Sequence, residues 1–331
     1  MHSGEIDFVV LWVDDTDPVW CQKRMQTVGI ETQTGNTEVR YRDWDNLRYW
    51  FRAVEKFAPW VRYVYFVTDN QKPEWLNIEH PKLKWIKHTD YIPDQYLPTF
   101  NSNVIELNLH RIEGLSECFV NFNDDMFLIS PTQPEDFFVN DIPCDYPILG
   151  PLLPESFFSY TLFNNMYLIN RHFNFRESVK ANLWKWVKGQ SAVGLLKLLL
   201  YGRNKSVSHS VSHHIHTCLC KRTYRTLWEK EYDLMHHISG HKVRTKEDIS
   251  QWCIRDWQLL SGEFVPKKPI GRMFFTAEMS NNSQAIDYIR NQKGKVICLN
   301  DSEDETEFEE HKQQIIEAFE TILPEKSLFE L

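Results

Sequence analysis

The sequence predicts an α/β fold built on a Rossmann-like sheet with inserted helical segments. Three observations predict it. Apolar, β-rich runs at 6–13, 63–68 and 118–122 each end in an acidic or amide turn. Helical periodicity fills 45–58 and 101–111 between them. The resulting order, strand–helix–strand–strand–helix–strand, calls for crossover connections between strands of one sheet.

Taken in order, IDFVVLWV (6–13) reads as a buried strand and DDTDP (14–18) as the turn that follows it. Leu47, Trp50, Phe51, Val54 and Phe57 recur at helical spacing, and Pro59 stops that helix. YVYFVT (63–68) is a second strand and the alternating KLKWIKH (82–88) a third. Asn101 to Arg111 reads as a helix, and CFVNF (118–122) as a fourth strand ending at Asn123-Asp124-Asp125. Residues 131–180, rich in Pro and Phe with weak periodicity, read as loops and short elements. KVICLN (295–300) is a last strand, followed by a helix from about Glu305 to Ile322.

The turns at Asp14–Asp17, Asp69–Asn70 and Asn123–Asp125 all fall at carboxyl ends of predicted strands, where open α/β sheets bind ligands. The third is unusual because apolar residues flank it on both sides, ending in Met126, Phe127, Leu128 and Ile129. Residue chemistry alone leaves two readings: an Asx-type turn, or carboxylates that handle a cation or a phosphate at a strand end.

The 331 residues suffice for a large core, and 42% hydrophobic with 25% charged is the balance of a soluble globular protein. A net charge of −9 argues against nucleic-acid binding, which needs a positive surface. Seven scattered cysteines fit reduced thiols better than a disulfide framework. With no basic-then-apolar leader and no apolar run near the roughly 20 residues of a membrane span, the chain is expected to be soluble and cytoplasmic. Residues 184–205 stand apart: Val193, Leu195, Leu196 and Leu198–Leu200 are bordered by Trp184, Trp186, Lys185, Lys188, Arg203 and Lys205. This pattern suits peripheral contact with a lipid interface, the alternative being a helix packed on the core.

Four blocks together resemble the Stealth family, which includes bacterial capsular polysaccharide phosphotransferases and the lysosomal-enzyme GlcNAc-1-phosphotransferase. They are IDFVVLWVDDTDP (6–18); the long block from YRDWDNLR at 41 through LPTFNSN to NDDMF at 127; the His-rich stretch from about 207 to HKVRTKEDI (241–249); and KVICLND (295–301). This chain departs from the family pattern in carrying Asp15 where Gly is usual, and in lacking a Pro soon after its His cluster.

The resemblance implies a glycosyltransferase-A-like nucleotide-sugar-binding sheet in a single catalytic domain spanning 1–331, with 128–206 a variable insert or acceptor- and membrane-facing region. It implies transfer of sugar 1-phosphate from a UDP-sugar to a saccharide hydroxyl, with a lipid-linked saccharide among the acceptors to be expected. UMP would leave and a phosphodiester form, in capsular or cell-surface polysaccharide synthesis. Mg²⁺ (or Mn²⁺) would be held by Asp124 and Asp125, with Asp125 also counted as catalytic. A histidine suits the base; His209, His213 and His214 all compete, and spacing to Trp228 and Arg244 favours His213. Arg244 would grip phosphate. Asp14, Arg42, Arg48, Asn101, Ser102, Asn103 and Arg111 are the implied substrate-binding residues, and Glu106 and His110 also match. Two other functions remain open: a metal-dependent glycosyltransferase releasing UDP, and a non-catalytic carbohydrate- or zinc-binding module, the latter suggested by HHIHTCLC (213–220).

Overall fold

The computed structural model describes residues 4–29, 44–211, 213–275, 279–301 and 308–331. The main sheet contains strands β1 (Ile6–Leu11), β2 (Val64–Thr68), β3 (Leu83–Lys87) and β4 (Cys118–Phe122). Its order is β3-β2-β1-β4, all parallel, the arrangement of a Rossmann-like half. The next strand in sequence, β5 (Met126–Leu128), leaves this sheet. A small sheet joins β6 (Phe138–Val139), β7 (Ile142–Asp145) and, much later, β9 (Val265–Pro266). Between these, β8 (Thr217–Cys220) closes the main sheet antiparallel to β4. Finally β10 (Gly271–Phe275) and β11 (Val296–Asn300) run parallel to each other, and β5 pairs antiparallel with β11.

Helix α1 (Pro18–Val28) follows β1. The sequence reading has only a turn there, because Trp20 is the sole buried side chain of the helix and no apolar stripe marks it. Its start is nonetheless orderly: Asp17 caps Val19 N–H at 2.9 Å, and Pro18 occupies the first turn. Helix α2 (Leu47–Phe57) buries the expected Leu47, Trp50, Phe51, Val54 and Phe57. Helix α3 (Ser102–Leu107) is shorter than predicted and continues as a 3₁₀ turn, Leu109–Arg111. After α4 (Pro134–Phe137) come α5 (Phe158–His172), α6 (Phe175–Ala181), α7 (Leu183–Val187) and α8 (Ala192–Tyr201). Helices α9 (Lys221–Lys230), α10 (Tyr232–Ser239), α11 (Trp252–Leu260), α12 (Met279–Arg290) and α13 (Phe308–Ile322) complete the chain.

The expectation of loops over 131–180 is overturned by α5, a helix of 15 residues. Its buried face includes Ser159, Thr161 and Asn165 alongside Met166, Leu168 and Ile169, so polar residues mask the hydrophobic period. Within the His- and Cys-rich segment, 217–220 is strand β8 and helix starts only at Lys221.

Alternation along the main sheet feeds two cores. Phe8, Val10, Phe66, Val120 and Phe122 face α2, β5, β11 and α13, whereas Val9, Val67, Phe119 and Leu219 face the side of α5, α9, α10 and α11. The amino ends of three strands are tied by one buried carboxylate. Asp7, fully buried, accepts from Arg62 Nε at 2.8 Å, Ser116 N–H at 2.8 Å and Tyr63 N–H at 3.2 Å. At the other end of the chain, Arg52 of α2 grips Glu330 with Nε at 2.8 Å and Nη2 at 3.0 Å. The same guanidinium donates to Leu323 O, and this closes residues 323–331 over the first core.

Replacing Arg62 with Met should leave Asp7 charged and short of its partner, costing about 3 kcal/mol. Urea unfolding should show a lowered midpoint with an unchanged slope, and a loss below about 1 kcal/mol would mean that the pair is not a tie of this kind.

Candidate active site

A single change of sheet creates the site. β4 lies in the main sheet, paired with β1 from Ile6↔Cys118 to Val10↔Phe122. Three residues later β5 lies in the second sheet, paired with β11 from Cys298↔Met126 to Val296↔Leu128. Asn123-Asp124-Asp125 is therefore the bridge between two buried strands, which is why both flanks are apolar. Leu299 N–H donates to Asp125 O at 2.9 Å and pins the bridge to β11.

The carboxyl ends of both sheets open into one cleft of about 750 Å³, within the size range of small-molecule sites. Trp12 and Val13 reach it from β1, Asn121 and Asn123 from β4, Thr217 from β8, and Asn300 and Asp301 from β11. Trp12, Trp20, Trp44, Phe158 and Trp252 supply aromatic walls. Among the described lining residues the acidic groups are Asp69, Glu106, Asp124, Asp125 and Asp301, and Arg244 is the one Lys or Arg. Asp69 is itself engaged by Lys23 at 2.7 Å.

Asp125 is the most constrained of these groups. Its Oδ1 is buried without a hydrogen-bond partner, and its Oδ2 accepts from the Cys298 thiol at 3.3 Å. Burial pushes its carboxyl above the usual range, opposed by His214, whose Nε2 lies 4.0 Å from Oδ2. Burial likewise raises the Cys298 thiol well above its ordinary value, so it donates as a neutral S–H. An orphaned carboxylate oxygen next to a second carboxylate is a donor set that fits a hard divalent cation, and Asp125, His214 and Cys298 place ligand atoms within 4.8 Å of one another.

The structure divides the residues expected from the sequence. Asp124, Asp125, Ser102, Asn103 and Arg244 line the cleft. Arg244 Nη2 donates to Ser102 Oγ at 2.6 Å. Asn101 is fully buried beneath them, capping α3 and donating to Asp248 at 2.8 Å. Asp14 folds back on its own turn, accepting from Thr16 N–H and Oγ1, so its carboxylate is a turn acceptor and not a cleft group. Arg48 pairs with Asp45 at 4.0 Å and lies over Trp75, and Arg111 lies 4.4 Å over Trp228 while donating to Asn108. Neither lines the cleft. Arg42 falls outside the described residues.

The competing histidines separate sharply. His209 and His214 line the cleft. His213 instead lines a separate hollow of about 50 Å³ with Asp145, Tyr146 and Arg255. Burial, and then Arg255, lower its pKa, and its Nε2 is buried without a partner. His214 has φ 46°, a left-handed turn that aims consecutive rings into different spaces. Spacing to Trp228 and Arg244 carries no information about this turn. Sequence reasoning also passed over Cys298, Asn300, Asp301, Gln251 and Trp252; only the KVICLND block held a signal, and only for the first three. The zinc reading of HHIHTCLC loses its cysteines: Cys218 and Cys220 are buried in β8, and among the described residues neither joins a metal-ligating group.

Glu106 of α3 lines the cleft from a buried position, and burial, opposed by Arg244, pushes its carboxyl up to about 7. A raised carboxyl favours the fold while protonated, so this contribution is complete below the ordinary glutamate value of 4.5 and is lost as pH rises through about 7. Glu106→Gln should flatten that part of the stability profile. Melting temperatures measured from pH 4 to 8 should converge with wild type at the acid end and exceed it above neutrality; parallel curves would remove Glu106 as the source.

The family model described as Stealth protein CR2, conserved region 2, matches residues 40–144, a stretch that runs from before α2 through the Asp pair to β7. The chain is 41% identical over 333 residues to a capsular polysaccharide phosphotransferase, WcwK, of Streptococcus pneumoniae, covering 99% of each. It is 38% identical over 334 residues to the receptor polysaccharide phosphotransferase WefC of Streptococcus gordonii, again covering 99% of each. It is 37% identical over 332 residues to the exopolysaccharide phosphotransferase cps2G of Lactiplantibacillus plantarum, covering 98% of this chain and 96% of that one.

Proposed function

The chain belongs to the Stealth family of bacterial polysaccharide phosphotransferases, and from that premise we propose that it transfers sugar 1-phosphate from a UDP-sugar to a saccharide hydroxyl during capsule or exopolysaccharide synthesis. The observation that carries this reading is the Asp124–Asp125 bridge, with the orphaned Oδ1 of Asp125, at the carboxyl ends of two sheets. An anionic diphosphate entering a cleft this acidic needs added positive charge. Asp124 and Asp125 would hold Mg²⁺ or Mn²⁺ there, and the bound ion would neutralise charge on the diphosphate.

The acceptor oxygen forms a bond to the sugar-side phosphorus, and the bond from that phosphorus to the bridging oxygen breaks. UMP carries away the electron pair, and the acceptor proton goes to a base. His214 takes the role that spacing had assigned to His213, because it is the neighbour that faces Asp125. Arg244, fixed by Ser102, holds a phosphate oxygen as a charge-assisted donor. Asn103, whose amide is anchored on Asp248, orders the same wall, and the aromatic side chains offer faces for the uracil and sugar rings.

The reading treats 1–331 as one catalytic unit acting at the cytoplasmic membrane face, with part of 128–206 turned toward the acceptor. Among the described residues no helix is long and apolar enough to cross a membrane. Helix α8 has no fully buried side chain: Leu198 and Tyr201 pack partly buried against the second core, and the rest of its apolar side chains are exposed, whereas Trp186 of α7 is 1% exposed. Val193, Leu195, Leu196, Leu199 and Leu200 stand in solvent beside Trp184, with Lys185, Lys188, Arg203 and Lys205 close in sequence. That combination fits an anionic lipid surface presenting a lipid-linked acceptor.

With a panel of UDP-sugars the enzyme should release UMP; release of UDP would identify a conventional glycosyltransferase instead. Asp125→Asn and His214→Gln should each lower kcat by about 10²-fold or more, and His213→Gln by less than about tenfold. Equal losses at both histidines would defeat the assignment. Vesicle sedimentation supplies a separate check on α8. Leu195→Glu with Leu199→Glu should abolish retention on vesicles rich in anionic lipid, and undiminished binding would remove the membrane from the proposal.

A further inference from the structure

A second group of ligating side chains lies behind the Arg244 wall. Helix α10 ends at Ser239, and the turn that follows brings His241 next to His237, an H-x₃-H spacing that recurs in zinc sites. The chain then folds back so that Glu247 meets both rings. His237 Nε2 is 2.9 Å from Glu247 Oε2, and His241 Nε2 is 3.9 Å from the same oxygen. All three ligand atoms lie within 4.8 Å of one another. Bonds of about 2.0–2.1 Å to a tetrahedral ion set ligand atoms about 3.3 Å apart, a separation that these two distances bracket.

The surroundings match a metal site in a further respect. His241 Nδ1 is 2.7 Å from Asp248 Oδ1. That carboxylate fixes the ring and leaves Nε2 turned to Glu247, the carboxylate–imidazole arrangement that orients metal-bound histidines. Asp248 is fully buried and held in turn by Asn101, Asn103 and the Thr245 backbone. Solvent reaches the group freely, with the side chains of His237 and Glu247 61% and 70% exposed.

The geometry points to a binding site for a zinc(II)-class ion made by Nε2 of His237, Nε2 of His241 and a carboxylate oxygen of Glu247, with water in the fourth position. The ion joins the end of α10 to both ends of the 241–248 loop. Arg244 lies within that loop and projects into the cleft, where it donates to Ser102. Occupancy therefore clamps the loop and fixes Arg244, so the site is a positioning device; this consequence rests on the reading of Arg244 as a phosphate ligand, whereas ion binding itself does not.

The test uses untagged full-length protein, stripped of metal, in an Asp124→Asn, Asp125→Asn background that silences the cleft. Zinc titrated against a chromophoric chelator should bind one ion per chain, and cobalt(II) should give the visible bands of a four-coordinate site. His237→Gln and Glu247→Gln should each weaken binding by about tenfold or more. His237 is exposed, so its variant should melt as the parent does without metal, which separates loss of a ligand from loss of fold. Wild-type affinity in His237→Gln, or no stoichiometric zinc in the parent, would overturn the site. With the aspartates restored, zinc should lower the donor KM in wild type and leave it unmoved in His237→Gln. Stoichiometric binding with an unchanged KM would overturn the clamp while leaving the proposed chemistry of the cleft untouched.

Discussion

The stretch Cys118–Leu128 is shared by two sheets, and the rest of the site depends on that sharing. β4 is locked in register on β1 and β8, while β5 is locked on β11. A slip of one residue in β4 would exchange the side chains that fill the two cores. The Asn123-Asp124-Asp125 bridge is thus held from both ends, and its carboxylates have little freedom to drift. Both sheets also direct their carboxyl ends to this bridge, so one cleft collects loops from strands far apart in sequence.

The same arrangement concentrates acidity. A chain of net charge −9 directs five carboxylates at a cleft with one described arginine on its wall. Burial pushes two of these groups, Glu106 and Asp125, toward their neutral forms. A bound cation would relieve the repulsion among these carboxylates, and under the proposed function it would let an acidic protein take up a multiply charged anion.

Much of the parallel sheet was legible because buried strands must be apolar, and the strands at 6–13, 63–68 and 118–122 obey that rule closely, whereas the edge strand at 82–88 was legible from its alternation. The Asp pair was legible as an anomaly, polar residues where the pattern wanted apolar ones. Elements whose buried faces carry Ser, Thr and Asn, such as α5, left no such pattern. Side-chain direction was the other blind spot. Nothing in VSHSVSHHIHTCLC tells His213 from His214, since one left-handed residue decides which ring meets Asp125. Asp14, Arg48 and Arg111 show the same limit: each is engaged by a neighbour in the fold, Thr16, Asp45 and Asn108 respectively, that spacing alone does not reveal. Glu247 and Asp248 met His237 and His241 only once the loop had folded back.

Helix α8 contributes no fully buried side chain and touches the second core only through the partly buried Leu198 and Tyr201. Away from those two positions its sequence is free of the volume and register constraints that bind the strands. Substitutions there leave the fold's energetics almost untouched, so this projection can diverge quickly while the cleft stays fixed. The exposed side of the helix and the cleft are thus two surfaces that can change independently, one set by solvent and the other by the register of two sheets.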